Sequence, residues 1–406
     1  MTLSPTYLQF IEELDGLKES GNYRVLRNLT HDGNHVWSEG KRLFNLSSND
    51  YLGIGASQFL LAKEAEEAGI RMNTGNSASP LSFPVGSCSS RLLTGNHSAY
   101  GKLESLLCGM YKSESALIFN SGYHANIGIL PTLTTKKDLI LADKLVHASL
   151  IDGIRLSDAK CVRFPHNDIE FVERLLHNER HRYTNVYIVV ESIYSMDGDV
   201  APLQRIVELK RRYGCLLYVD EAHAIGTHGA NGLGLCEQEK ILEETDILLG
   251  TFGKAVAGQG AYAITNAIIR EYLINRCRSL IFTTALPQQN IEWVYEVMKI
   301  IPTLTEKRAQ LTEVSKQLRE GINLMGWKSK GETHVVPLIT GDITMAVKIS
   351  EYLAENGYLA LPIRRPTVPE GNERIRFSLT ANTTIKQINE ILSLCKHIGL
   401  QTTTTG

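Results

Sequence analysis

The sequence predicts an α/β fold: a mostly parallel central sheet with helices on both faces, followed by a smaller α+β C-terminal domain. Three observations predict it. Short, almost continuously apolar runs such as Leu139–Ala142, Cys215–Val219 and Ala261–Ile264 recur between about residues 56 and 290. Helical stretches such as Ala99–Met110 and Leu203–Tyr213 separate them. Strands apolar along their whole length belong to sheets covered on both sides. The runs also end on polar groups: Asn120-Ser121-Gly122, Asp143, Glu191, Asp220 and Thr251. Ligands of such sheets collect at the carboxyl ends of the strands.

Taken in order, residues 6–18 place Tyr7, Phe10, Ile11, Leu14 and Leu17 at helical spacing, so a short amphipathic helix is expected. Asn22 to Asn49 reads as an arm with a small strand pair, giving an N-terminal segment 1–55. The large domain, 56–290, should carry six strands: Ala116–Phe119, Leu139–Ala142, Asn185–Val190, Cys215–Val219, Asp246–Thr251 and Ala261–Ile264. Residues 288–325 read as long helices. The rest of a C-terminal domain, 291–400, should contain strands Val335–Ile339 and Arg374–Leu379 and helices Met345–Glu355 and Ile385–Ile398. Residues 401–406 read as a frayed tail.

Composition bounds the function. A net charge of −2 with scattered basic residues argues against nucleic acid or an anionic membrane as partner. No run approaches the roughly eighteen apolar residues of a membrane span. The N-terminus has neither the basic nor the apolar region of a signal peptide. Seven cysteines without a CxxC pair fit free thiols in a reducing cytoplasm.

The chemistry centres on two positions. Asp220 opens Asp220-Glu221-Ala222-His223 at the end of an apolar run, and Lys254 stands in the glycine-flanked loop after another. An acid at a buried strand end can keep a pyridine nitrogen protonated, and a lysine amine can condense with an aldehyde. Burial lowers a lysine pKa and supplies the neutral amine that imine chemistry needs. The bland alternatives are a helix cap or cation ligand for Asp220 and a solvated surface lysine for Lys254. Asp-Glu-Ala-His also occurs in helicases, but none of Gly40-Lys41, Gly101-Lys102 and Gly253-Lys254 is followed by Ser or Thr, as a phosphate loop requires. His223 and His228 lack the spacing of a zinc site, so no metal is expected. Gly122 and Tyr123 lie at an expected helix start, where free amides attract phosphate, and Ser195 and Thr251 offer hydroxyls at neighbouring strand ends. Each also reads as ordinary capping. His147 can stack on a flat ring or serve as a core or cap residue.

These residues occur in blocks: Ser47–Gly53, Gly86–His97, Phe119–Asn126, Val146–Leu150, Glu191–Gly198, the Asp220 block and Thr251–Lys254. In this order they resemble the α-oxoamine synthases, pyridoxal 5'-phosphate enzymes of aminotransferase fold type I. The resemblance covers nearly the whole chain from about residue 20. It implies that Lys254 holds the cofactor and then acts as base. Asp220 pairs with the ring nitrogen, His223 with the ring hydroxyl, and His147 stacks on the ring. Gly122, Tyr123, Glu191, Ser195, Thr251 and Thr284 complete the cofactor site, Thr284 reaching across a homodimer. Asn49 and Arg376 orient the amino-acid carboxylate, with Arg364 assisting or forming a rim salt bridge. The block Ile363–Gly371 is similar to that of members that join L-alanine to a pimeloyl thioester of coenzyme A or acyl carrier protein. Arg365 departs from it, standing where proline is usual. Acetyl, palmitoyl and succinyl donors are the alternatives within the family, and a non-catalytic partner subunit is the alternative outside it. Arg24 could pair with a terminal carboxylate on the acyl chain, or be a surface arginine. Two further departures stand at His124, where the family has a small residue, and Ser89, where it has glycine.

Overall fold

The computed structural model describes residues 4–56 and 86–403. The expected start of the large domain, 57–85, lies outside them, as do 404–406. The chain divides into two compact units. The first comprises residues 1–48, 196–198 and 312–406, and the second 49–195 and 199–311. The N-terminal arm and the C-terminal part are thus joined in one unit.

In the first unit the expected helix forms over Pro5–Glu19, with Pro5 at its first turn, where a missing N–H costs nothing. Its apolar face is exposed in the isolated chain, and the helix has no buried residue. The arm holds three strands rather than a pair: β1 (Thr30–Asp32), β2 (His35–Ser38) and β3 (Lys41–Asn45). They pair antiparallel in sequence. A residue from far along the chain seals them: Leu359 packs on Val36 and Leu43.

The second unit is built on seven strands: β4 (Ser115–Phe119), β5 (Leu139–Asp143), β6 (Lys160–Phe164), β7 (Val186–Glu191), β8 (Leu216–Asp220), β9 (Ile247–Thr251) and β10 (Ala261–Thr265). Their order across the sheet is β4-β10-β9-β8-β7-β5-β6. Strand β10 runs antiparallel to both neighbours, and the other six point the same way. The six expected strands are all present. Strand β6 is the addition: its Lys160 and Arg163 are exposed and it closes one edge, where charge discourages further pairing. That charge is what hid it in the sequence. The expected end polar groups Asn120, Asp143, Glu191, Asp220 and Thr251 therefore lie along one edge of the sheet.

Returning to the first unit, β11 (Val335–Ile339), β12 (Tyr358–Leu359), β13 (Pro362–Ile363) and β14 (Arg374–Ser378) complete its sheets. Strand β12 adds parallel to β3, and β11-β14-β13 form a separate antiparallel sheet. Asp342 caps the helix Ile343–Glu355 by accepting from Met345 N at 2.7 Å. The last helix, Ile385–Thr403, runs past the point where a frayed tail was expected to begin.

Candidate active site

The site grows from the ends of β7, β8 and β9 in the second unit. Glu191 and Asp220 end adjacent parallel strands in register, and both are buried. Asp220 Oδ1 accepts from Ala222 N at 2.9 Å, and Oδ2 accepts from Asn126 Nδ2 at 2.9 Å. Burial pushes the Glu191 carboxyl well above the usual carboxylate range, the Asp220 charge adds to the push, and the Lys254 ammonium opposes it. Glu191 Oε1 has no hydrogen-bond partner among the described residues. A buried carboxyl pushed upward beside a second acid is an unusual object in a core, and such perturbed groups mark functional sites.

The Asp-Glu-Ala-His block divides its work. Glu221, wholly buried, accepts from Ser192 Oγ at 2.7 Å, Leu235 N at 3.1 Å and Cys236 N at 2.6 Å. It anchors the chain at Ser192, Leu235 and Cys236. Gly234 is required beside it: its φ is +103°, and a Cβ there would lie 2.5 Å from Glu221 Oε2. His223 Nδ1 lies 2.7 Å from the Tyr51 hydroxyl, which also reaches Asn49 Oδ1 at 3.0 Å. His223 and Asn49 are thus brought together through a tyrosine. Burial holds His228 down to about 4, and its Nδ1 meets Thr227 Oγ1 at 2.9 Å. Among the described residues no group of acids, histidines and cysteines could hold a metal ion.

Lys254 is half-buried in the loop that leaves β9. Thr251 shapes that loop by donating to Gly260 O at 3.1 Å and accepting from Gly253 N at 3.2 Å. Ser195 is buried at the end of the stretch after β7. The helix Gly122–Leu133 begins where β4 ends, and Ser121 caps it by accepting from His124 N at 3.1 Å. A Cβ at Gly122 would meet nothing within 4 Å, which leaves an open cradle at the positive end of the helix. Tyr123 turns its hydroxyl to Asp152 at 2.7 Å, so only its amide faces that cradle's chemistry. His124 pairs through Nδ1 with Ser121 Oγ at 2.8 Å and acts as part of the cap. Ser89 Oγ accepts from Thr94 N at 3.2 Å, giving the substituted serine a turn-closing task. Thr284 is exposed, and its carbonyl accepts from Asn120 Nδ2 at 2.7 Å.

His147 caps the helix Ala148–Leu156 with its ring exposed, Nδ1 accepting from Ser149 N at 3.2 Å. Three residues that the sequence did not single out complete this corner: Asn126, Ser149 and Tyr218. Asn126 lies in a recognised block, yet nothing in the sequence marks its side chain as the partner of Asp220, ninety-four positions away.

Arg24, Arg364 and Arg376 belong to the first unit. Arg376 donates to Ser378 Oγ at 3.0 Å. Arg364 donates to Gly21 O at 2.7 Å and Tyr23 O at 2.6 Å, so it clamps the arm. Burial lowers the Arg364 pKa, and the charges of Arg24 and Arg27 lower it further. The guanidiniums of Arg24, Arg27 and Arg364 are therefore neighbours. They line a cleft of about 590 Å³ together with Tyr23, Leu361 and Ile363.

The aminotransferase class I and II family matches residues 41–394. The chain belongs to that family. An 8-amino-7-oxononanoate synthase of Chlorobaculum parvum is 46% identical over 382 residues, 94% of this chain and 96% of that protein. A serine palmitoyltransferase of S. paucimobilis, solved with bound PLP and myriocin, shares the fold at a TM-score of 0.87 and 28% identity over 99% of both chains. An 8-amino-7-oxononanoate synthase of Francisella tularensis matches at a TM-score of 0.70 and 26% identity, covering 87% of this chain and 97% of that one. The expected fold and the resemblance to α-oxoamine synthases are borne out. The residues of this aminotransferase-family chain also fit pyridoxal phosphate. A buried acid, an amine on the next strand's loop, an orphaned acid oxygen and an open helix N-terminus suit a ring nitrogen, an aldehyde and a phosphate.

Proposed function

We propose that this chain is a pyridoxal 5'-phosphate-dependent acyltransferase that condenses L-alanine with a pimeloyl thioester. The products are 8-amino-7-oxononanoate, carbon dioxide and the free thiol carrier, coenzyme A or acyl carrier protein. The observation that carries the reading is Asp220, fixed as a buried strand-end acid beside the β9 loop that presents Lys254. The cofactor, once bound, supplies an electron-poor ring that accepts the electron pair left on the amino-acid Cα.

The chain's own residues do the rest. Asp220 holds its charge against the ring nitrogen and keeps that nitrogen protonated. Lys254 Nζ would hold the cofactor by condensing with its aldehyde with loss of water, and once the substrate amine had displaced it, the free amine would accept the Cα proton. His147 offers its exposed ring as a stacking face, and His223, oriented by Tyr51, bonds the ring hydroxyl. The amides of Gly122 and Tyr123 and the hydroxyls of Ser195 and Thr251 hold the phosphate, with Glu191 buried behind the ring's acid partner. Thr284 is exposed, as a group reaching into a second copy must be, which supports a homodimer. By the resemblance, Asn49 and Arg376 take the amino-acid carboxylate.

The acyl preference has separate support. The arginine-lined cleft of the first unit offers positive charge over apolar walls. A chain ending in a carboxylate satisfies both, whereas acetyl and palmitoyl chains bring no anion. The 46% identity with the Chlorobaculum parvum enzyme points the same way. All seven cysteines are free thiols, which supports a reducing cytoplasm as the place of work.

The test is a matrix of alanine, glycine and serine against pimeloyl, succinyl, acetyl and palmitoyl thioesters, with products identified by mass. Alanine with the pimeloyl donor should dominate. A product from palmitoyl or acetyl donors alone would overturn the acyl assignment. Borohydride reduction of the loaded protein should add the cofactor mass to the peptide containing Lys254, and a label elsewhere would overturn the chemistry.

A further inference from the structure

We propose that Asn126 is a positioning residue that fixes both the Asp220 carboxylate and the His147 ring through one ordered chain of hydrogen bonds. The inference rests on the cofactor reading above. Asn126 is 1% exposed, and its partners Tyr218, Ser149 and Asp220 are 0%, 2% and 5% exposed, so water cannot substitute for a lost contact. Its Nδ2 lies 2.9 Å from Asp220 Oδ2 and 2.9 Å from Ser149 Oγ. Its Oδ1 accepts from the Tyr218 hydroxyl at 2.6 Å.

The direction of every bond follows from what each group can do. A carboxylate only accepts, so the amide nitrogen must face Asp220. The amide has two hydrogens, and Asp220 and Ser149 take one each. Ser149 Oγ, already accepting, points its own hydrogen at His147 Nδ1, 2.8 Å away. The Ser149 amide points at the same nitrogen. Nδ1 is then an acceptor, and the His147 proton sits on Nε2. Tight packing keeps the chain taut: a Cβ at Gly153 would lie 2.3 Å from the Asn126 carbonyl oxygen, so the helix carrying Ser149 can approach only because position 153 is glycine.

One amide thereby sets two properties of the residues that would hold the cofactor: the aim of the Asp220 carboxylate and the plane of the His147 ring. Without Nδ2, Asp220 Oδ2 loses the contact that fixes its aim, while Oδ1 keeps the Ala222 amide. The Ser149 hydroxyl is then free to rotate, which loosens the plane of the His147 ring while the Ser149 amide still points at Nδ1.

The experiment compares the wild-type holoenzyme with Asn126→Ala, Asn126→Asp and Ser149→Ala. It reads the cofactor dissociation constant, kcat, KM, the ¹⁵N spectrum of His147 (assigned by loss in His147→Gln) and the melting temperature of the apoprotein. Asn126→Ala should raise the dissociation constant and lower kcat by about 10- to 100-fold each, the usual range for a lost orienting partner, with KM changed by less than about threefold. Its His147 ¹⁵N signals should shift and broaden as the Ser149 hydroxyl contact loosens. Ser149→Ala should change that spectrum while leaving cofactor affinity within about threefold, because the Asp220 contact survives. Asn126→Asp sets two carboxylates against each other and should lose more, with affinity partly recovered as pH falls and one of them takes a proton. A purely structural role predicts no such recovery. Wild-type affinity in Asn126→Ala, or an unchanged His147 ¹⁵N spectrum in Ser149→Ala, overturns the inference. Ser149→Ala alone decides if Asn126→Ala fails to fold. A wild-type protein that binds no cofactor would instead sink the underlying reading.

Discussion

Raising the pH through the range 6 to 10 should weaken the second unit by way of a single histidine. His166 Nδ1 lies 2.9 Å from Asp143 Oδ1, and Nε2 lies 2.5 Å from Asp199 Oδ2. Burial alone would lower its pKa, but the two carboxylates outweigh burial and raise it to about 9. Below the ordinary value of 6.5 the ring is charged in both folded and unfolded chains, and its stabilisation is fully present. Between 6.5 and 9 only the folded chain keeps the proton, so stability falls as pH rises, and above 9 the contribution is gone. The shift, 9 less 6.5, corresponds to about 3 kcal/mol. With 27% of the side chain exposed, solvent screening brings this to roughly 2 kcal/mol. His166→Gln keeps a hydrogen-bonding side chain without the titration. Calorimetric melts of both proteins at intervals from pH 6 to 10 cancel every other group. The wild-type advantage should shrink by roughly 5 °C across the window, given about 2–4 °C per kcal/mol for a unit of this size. A constant difference would refute the reasoning. Asp143 is not left bare in the variant, because it also accepts from Leu145 N and Asn167 N, each at 2.8 Å.

Three further outcomes test the site. Asp220→Asn should still bind some cofactor but cut Cα proton exchange of alanine by several orders of magnitude, because an amide cannot hold the ring nitrogen protonated; exchange at the wild-type rate, followed in deuterated water by NMR, would contradict this. Gly122→Ala should leave the apoprotein melting temperature unchanged, since its Cβ meets open space, while cofactor affinity falls at least about tenfold if phosphate sits on that helix end; equilibrium titration of the apoprotein reads the second effect. Glu221→Ala should destabilise the protein by about 3–5 kcal/mol, because two buried amides and a hydroxyl lose their shared acceptor; a denaturation midpoint near wild type would show that Glu221 is not the anchor described.

Sequence alone determined six of the seven strands of the central sheet. Runs such as Leu139–Ala142 and Ala261–Ile264 are apolar throughout because both faces of the sheet are covered, and that signal is local. Lys254 and Asp220 were legible because each sits immediately beyond such a run. Strand β6 escaped because an edge strand with Lys160 and Arg163 does not look buried. The arm's partner escaped because β12 reaches β3 from more than 300 positions away, as in Tyr358↔Phe44. Only the tertiary structure decided which polar residues meet. It separated Glu221, an anchor, from Asp220, one position earlier, because successive side chains leave a strand end in different directions. It also joined Asn126 to Asp220, Ser149 and Tyr218, a set no spacing rule connects. Periodicity records which face of an element is buried, whereas hydrogen-bond partners depend on how elements distant in sequence are brought side by side.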